Sequence, residues 1–205
     1  TGMKTEVVIQ KPHRNGYDHA VRSAGVKIVE VETRDSFVNA LGAQTAMVYY
    51  LGGTRGDWAW ETPVPLEECV RICKRAGVPG LIDAANLLPS WDNIPRVAAT
   101  GVDMIAFSGG KHIRGPQSTG VLAGRKDLLH SAWLNSSPHS DSQGRGMKVN
   151  KEEMIGLLAA IDIYSKLDFR ALDRECERQA DYVMGECRKI GLQVEKARFE
   201  RGRRV

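Results

Sequence analysis

The sequence predicts an α/β fold, a mostly parallel sheet flanked by helices, and three observations carry that expectation. Short apolar runs rich in Val and Ile alternate with longer segments of helical periodicity, the order that builds parallel sheets. One run, Ala46-Met47-Val48-Tyr49-Tyr50-Leu51, is apolar throughout, as expected of a strand covered on both faces. Glycine and proline punctuate several junctions and so bound the elements.

In chain order, Glu6-Val7-Val8-Ile9 reads as a strand and Tyr17 to Ala24 as a helix ending at Gly25. Val26 to Val31 alternates with period two and is a strand; Asp35 to Leu41 is a short helix with Asp35 as its N-cap. After the Ala46–Leu51 strand, Gly52 to Asp57 is a loop. Pro65 to Ala76 places Leu66, Cys69, Val70 and Cys73 on one helical face, with Pro65 near its start and Gly77 just past its end. Gly80-Leu81-Ile82-Asp83 is the next strand, Ile94 to Thr100 a short helix, Val102 to Phe107 a strand and Thr119 to Gly124 another. The polar stretch from Asn135 to Gly146 is a long loop. Lys151 to Tyr164 is a strongly apolar helix, and Leu172 to Ile190 a long amphipathic one ending at Gly191. Leu192-Gln193-Val194-Glu195 reads as the first strand of a smaller domain.

At 205 residues the chain holds one large domain, or one and part of a second. Its 42% apolar and 26% charged content is ordinary for a globular protein, and a formal charge of +4 does not by itself suggest nucleic acid. The basic run Lys196 to Arg204 reads as a solvated end. Cys69, Cys73, Cys176 and Cys187 form no C-x-x-C pair, so reduced thiols in helices are expected and a metal site is not. No stretch reaches membrane-span length and no signal peptide precedes the first strand, which makes a cytoplasmic setting the default. The chain opens without a capping element and closes on an unfinished unit, so it reads as a fragment of a longer protein.

The chemistry concentrates at two strand ends. Phe107-Ser108-Gly109-Gly110-Lys111-His112-Ile113-Arg114-Gly115-Pro116-Gln117 sets a lysine on a glycine turn after an apolar strand. Asp83-Ala84-Ala85 ends the strand before it. In open parallel sheets ligands bind beyond the carboxyl ends of the strands, where both residues fall. An amine and a carboxylate so placed suit pyridoxal 5'-phosphate, an aldehyde that needs the amine at one end and the carboxylate at its ring nitrogen. The glycine pair before Lys111 would let backbone approach the cofactor, and Ala85 is small enough for a flat ring to lie against it. Ser108, Gly115 and Gln117 are candidate donors to the phosphate, with Arg114 as a charge partner. Taken singly, Lys111 also reads as a surface lysine in a turn, and Asp83 as a capping aspartate. His13 and Arg14, just after the first strand, are placed to hold a substrate carboxylate or phosphate.

With these residues in place, the segment from Asp83 to Tyr164 resembles the bacterial L-seryl-tRNA(Sec) selenium transferase family and its D-glucosaminate-6-phosphate ammonia-lyase-like relatives, pyridoxal-phosphate enzymes of fold type I. The likeness rests on Asp83, on Ser108-Gly109-Gly110-Lys111, on Arg114-Gly115-Pro116-Gln117 and on Gly124-Arg125-Lys126-Asp127-Leu128. Arg145-Gly146-Met147-Lys148-Val149-Asn150-Lys151 before an apolar helix also fits, and His13 to Ala20 with Gly25 to Val31 look like the lyase branch. Two departures point away from tRNA-modifying members. Gly110 stands where they carry an acidic residue, and Lys148 where they carry a second arginine, so a point charge replaces a bidentate fork.

The resemblance implies a cofactor-binding large domain over residues 1–150, lacking its N-terminal phosphate loop, and a linking helix with an incomplete small domain over 151–205. It implies Arg145 and Lys148 as substrate-binding residues, a homo-oligomer, and a small amino acid or amino sugar acid as substrate. The implied reaction is α-proton abstraction by Lys111 and β-elimination, with Asp83 acting through the ring. The alternative is selenium or sulfur transfer to seryl-tRNA. An alternative of another class is a catalytically silent, truncated interaction module.

Overall fold

Strands begin where branched and aromatic residues cluster, and six of them form one sheet in the computed structural model, which describes residues 2–52, 62–88 and 91–196 and the backbone of 198–199 and 203–204. The strands are β1 (Glu6–Gln10), β2 (Lys27–Val31), β3 (Thr45–Leu51), β4 (Gly80–Asp83), β5 (Met104–Ser108) and β6 (Gly120–Gly124), in the order β2-β1-β3-β4-β5-β6. Every pairing is parallel except the last, in which β6 turns back antiparallel along β5. The helices are α1 (His19–Arg22), α2 (Arg34–Ala40), α3 (Leu66–Ala76), α4 (Asn93–Ala99), α5 (Lys126–Leu134), α6 (Lys151–Ser165) and α7 (Phe169–Lys189). Past Gly52, the expected Gly52–Asp57 loop lies outside the described residues, as does much of the basic tail.

Successive residues of a strand point to opposite faces, and registered partners share a face. Val8, Val48, Ile82, Ile105 and Phe107 therefore look one way, where Phe37 of α2, five residues of α3, Val97 of α4 and Leu157 and Tyr164 of α6 close over them. Each such large apolar side chain, once buried, contributes roughly 1.5–3 kcal/mol. The opposite face carries a small buried cluster of Val7, Ile9 and Tyr49, with Met104 also buried in register with Leu81, while Met47, Leu51 and Leu81 are only partly covered and Val21 of α1 packs against the cluster. Helices were expected to flank the sheet; the described residues cover one face deeply and the other thinly.

Side chains bind this frame together as well. Gln10, 1% exposed at the end of β1, donates from Nε2 to the Val64 carbonyl (2.9 Å) and accepts from the Val64 N–H (2.8 Å) just before α3. Asp18, also buried, receives Arg14 Nε at 2.5 Å and Arg22 Nε at 3.0 Å. The Arg14 guanidinium, with Arg22 behind it, holds that carboxyl below the usual range.

Several boundaries differ from expectation for identifiable reasons. The Tyr17–Ala24 helix opens as a 3₁₀ turn, Gly16–Asp18, and is α-helical only over α1. The cap of α2 is Thr33, not Asp35: Thr33 Oγ1 accepts from Ser36 N while Ser36 Oγ accepts from Thr33 N, a reciprocal box that Asp35 is placed too late to make. Helix α5 had no counterpart in the sequence reading. Its apolar residues run around the helix, with Leu128 and Leu129 half-buried and Trp133 and Leu134 exposed, so no single stripe announces it. Residues 192–196 are not a strand. Lys196 is drawn instead to Glu177 and Asp181 of α7, while Arg198–Phe199 and Arg203–Arg204 pair with each other as a separate two-stranded ribbon.

Candidate active site

The carboxyl ends of β3, β4 and β5 meet on the thinly covered face. Leu51 pairs with Asp83 and Asp83 with Ala106, so Asp83, Tyr49 and Ser108 share that face. Asp83 Oδ2 accepts from the Tyr49 hydroxyl at 2.9 Å, and Oδ1 accepts from the Ala85 N–H at 3.0 Å. One donor on each oxygen leaves lone pairs on both. Tyr49 is 5% exposed, and burial followed by the Asp83 charge pushes its hydroxyl well above the ordinary tyrosine range, so it stays a donor. The Asn15 side chain also hydrogen-bonds to Tyr49. Gly52 permits this convergence: its N–H donates to the Asp83 carbonyl at 2.8 Å, and a Cβ there would stand 2.7 Å from that oxygen.

Lys111 stands exposed on the turn after β5. Its Nζ donates to Asn86 Oδ1 at 3.0 Å and lies 5.8 Å from the centre of the exposed Tyr17 ring. Asn86 follows Asp83 by three residues, so its amide sits on the loop that joins the carboxylate to the amine. Tyr17 is aimed by Asn15, whose Oδ1 accepts the Tyr17 N–H at 2.7 Å. Tyr49, Asn86, Tyr17 and Asn15 were absent from the sequence expectations. Asn86 was within reach of that reading by its spacing from Asp83; Tyr49 read as part of a covered strand and Tyr17 as the start of a helix.

The turn itself is tightly built. A Cβ on Gly109 would lie 2.2 Å from Thr119 Oγ1, and one on Gly110 2.6 Å from Gln117 Oε1. The glycine pair is therefore required by the turn's own packing, a reason different from the expected approach of a cofactor. Gln117 Nε2 donates to the Gly110 carbonyl at 2.8 Å, and the Gly115 N–H to the Gly109 carbonyl at 2.8 Å. Both donors expected to face a phosphate are thus engaged within the turn. The Ser108 hydroxyl makes no hydrogen bond among the described residues. Arg114 adopts a left-handed backbone at φ 60°, a strained conformation for a residue with a Cβ.

The other expected residues lie apart. His13 is 0% exposed and packs edge-on against Tyr50 with ring centres 4.3 Å apart. Tyr50 belongs to the deeply covered face, so His13 lies across the sheet from Asp83 and has no surface to offer a substrate. Neither of its ring nitrogens has a hydrogen-bond partner among the described residues, and burial pushes its pKa down to about 4. Arg14 is paired with Asp18 and, at 2.8 Å, with Glu30, so it would have to leave a carboxylate to take a substrate oxyanion. Arg145 and Lys148 are exposed, and neither makes a hydrogen bond or ion pair with Lys111 or Asp83.

The groups that do converge fit pyridoxal phosphate. A carboxylate with spare lone pairs suits a ring N–H, a reachable amine suits the aldehyde, and an amide between them suits the ring hydroxyl. No group of three or more His, Cys, Asp or Glu side chains that could hold a metal occurs among the described residues. No helix among them is long and apolar enough to cross a membrane.

Residues 35–196 match the family model Aminotransferase class-V. The 5'-C-glycyluridine monooxygenase-decarboxylase of a Streptomyces species is 31% identical, over 98% of this chain and 50% of its own. The D-glucosaminate-6-phosphate ammonia lyase of Salmonella typhimurium is 29% identical, over 80% of this chain and 44% of its own. The L-seryl-tRNA(Sec) selenium transferase of Carboxydothermus hydrogenoformans is 28% identical, over 63% and 27%. The chain thus spans about half the length, or less, of the curated relatives it matches. Among solved structures, SPT with pyridoxal phosphate superposes with a TM-score of 0.60 over 98% of this chain and 50% of that one, at 14% identity.

Proposed function

Because the chain belongs to the aminotransferase class-V family, we propose that it supplies the cofactor anchors of a pyridoxal-phosphate lyase acting on an amino acid or amino sugar acid. The supporting observation is the pairing of Lys111 with Asn86, three residues from Asp83, which brings amine and carboxylate to one face beyond adjacent strand ends. The similarity to the ammonia lyase supports the reaction class.

Pyridoxal phosphate, when bound, supplies an aldehyde for the amine and a sink for the electron pair left when the α-proton departs. Lys111 Nζ would anchor the aldehyde carbon, then accept the α-proton once a substrate amine has displaced it. Asn86 Oδ1 orients that nitrogen. Asp83 would receive the ring N–H on the lone pairs that Tyr49 and Ala85 leave open, against the small side chain of Ala85. The exposed ring of Tyr17 would cover the amine from solvent, and the uncommitted hydroxyl of Ser108 would donate to the phosphate. The β-hydroxyl would leave as water, and the enamine so formed, once tautomerised to the imine, would take up one water and release ammonia, leaving a keto acid whose keto oxygen comes from that water.

A second reading, selenium or sulfur transfer to seryl-tRNA, is favoured by the similarity to the selenium transferase. Gly110 and Lys148 weigh against it, as does the mild net charge of +4. The deciding experiment adds pyridoxal phosphate to the intact protein, reduces the product with borohydride and locates the modified lysine by mass spectrometry. Modification of Lys111, lost in Lys111→Ala, is the expected result, and an unmodified Lys111 defeats the proposal. Release of ammonia and a keto acid from amino sugar acids then supports the lyase. Tight, salt-sensitive binding of seryl-tRNA overturns it in favour of transfer.

A further inference from the structure

Asp83 is not left to orient itself. Its carboxylate is held at both oxygens, by the Ala85 N–H on its own loop and by a hydroxyl that arrives from another strand. That hydroxyl belongs to Tyr49, whose ring is locked in the small cluster of Val7 and Ile9 and whose oxygen is also hydrogen-bonded by Asn15. Tyr49 is thus fixed at both ends, by packing along the ring and by hydrogen bonds at the tip.

We infer that Tyr49 is a positioning residue for the cofactor: it fixes the rotation of the Asp83 carboxylate so that an open lone pair meets the ring N–H. The inference rests on the proposed function, because it assumes that Asp83 faces that nitrogen. Tyr49 touches neither the amine nor the reacting carbon and acts through Asp83 alone. Without the hydroxyl, Asp83 keeps one tether, from a loop N–H, and its side-chain torsion is freed. The geometry also explains why the 11–18 turn lies beside the site. Through Asn15 it both aims Tyr17 and contacts the Tyr49 oxygen, so cofactor-facing and carboxylate-holding residues share one support.

The test is a double-mutant cycle in the intact protein, read as the dissociation constant for pyridoxal phosphate and the absorption spectrum of the bound cofactor. Tyr49→Phe, which removes one oxygen and keeps the ring, is expected to weaken binding about tenfold, the scale of a hydrogen bond to a charged group, and to shift the spectrum. In an Asp83→Ala background the same substitution is expected to change binding less than about twofold, since the group it acts through is gone. Equal loss in both backgrounds shows a merely structural role and overturns the inference. So does binding by Tyr49→Phe that matches wild type. Wild-type protein that takes up no pyridoxal phosphate overturns the proposed function first, and this inference with it.

Discussion

The two faces of the sheet are made from the same strands, residue by residue in alternation, yet they are put to different uses. Val8, Val48, Ile82 and Ile105 are buried beneath four helices, whereas Asp83, Tyr49 and Ser108, their alternates, meet on a face where, among the described residues, a small cluster of Val7, Ile9 and Tyr49 packs against the one short helix α1. The covered face disfavours even a histidine's charge, since burial lowers the His13 pKa and its ring has no hydrogen-bond partner there among the described residues. The thin face keeps a carboxylate and an amine, hydrogen-bonded and within reach of solvent. Period two therefore separates the packed core from the candidate site: one residue's shift in register would exchange them.

Substitutions can break this division. The largest effect is expected at Phe37, 0% exposed on the sheet-facing side of α2: Phe37→Ala should cost about 3–5 kcal/mol in urea unfolding. The protein that remains folded should still bind pyridoxal phosphate with wild-type affinity; a weaker constant for that fraction means that the faces are coupled.

A smaller effect is expected from acid. Burial lowers the folded-state pKa of His13 from its ordinary value to about 4, so its contribution is present above pH 6.5 and is lost as the pH falls toward 4. Over that window the loss is about 3 kcal/mol. Asp18, whose pKa is also lowered, adds its own loss only further down. In His13→Phe, unfolding midpoints measured between pH 7.5 and 4.5 should flatten, and a slope matching wild type would assign the acid sensitivity elsewhere. The smallest effect is at the α2 cap. Thr33→Ala removes the acceptor for Ser36 N and should cost about 1 kcal/mol, with no change in cofactor affinity.

The strands themselves, and the placing of Asp83 and Lys111 at neighbouring strand ends, were legible because each leaves a local mark. Asp83 is a charge ending an apolar run, and Lys111 a cation on a glycine turn. What supports them was hidden because it is made by distant pairs. Tyr49 meets Asp83 across 34 residues, and nothing near Tyr49 in sequence marks its hydroxyl as engaged. His13 misled for the opposite reason: it stands at the ligand end of β1, but its side chain drops to the far side of the sheet, beside Tyr50, while Asn15 and Tyr17 of the same turn go to the near side. Gln117 and Gly115 looked like donors awaiting a ligand and are instead consumed in closing their own turn. Helix α5 went unread because its apolar residues face no single neighbour.

The clasp between Gln10 and the backbone of Val64 constrains which variants of this chain can exist. The peptide group of Val64 asks for one donor and one acceptor, and a primary amide at the end of two methylenes supplies both. Glutamate would set acceptor against acceptor, asparagine would stop one methylene short, and methionine would fill the space while leaving the Val64 N–H dry and unanswered and its carbonyl with only the Thr62 hydroxyl, at 3.0 Å. Position 10 is therefore close to monogamous: among the natural side chains glutamine alone has the chemistry and the reach, and a lineage that changed it would first have to re-route the approach to α3.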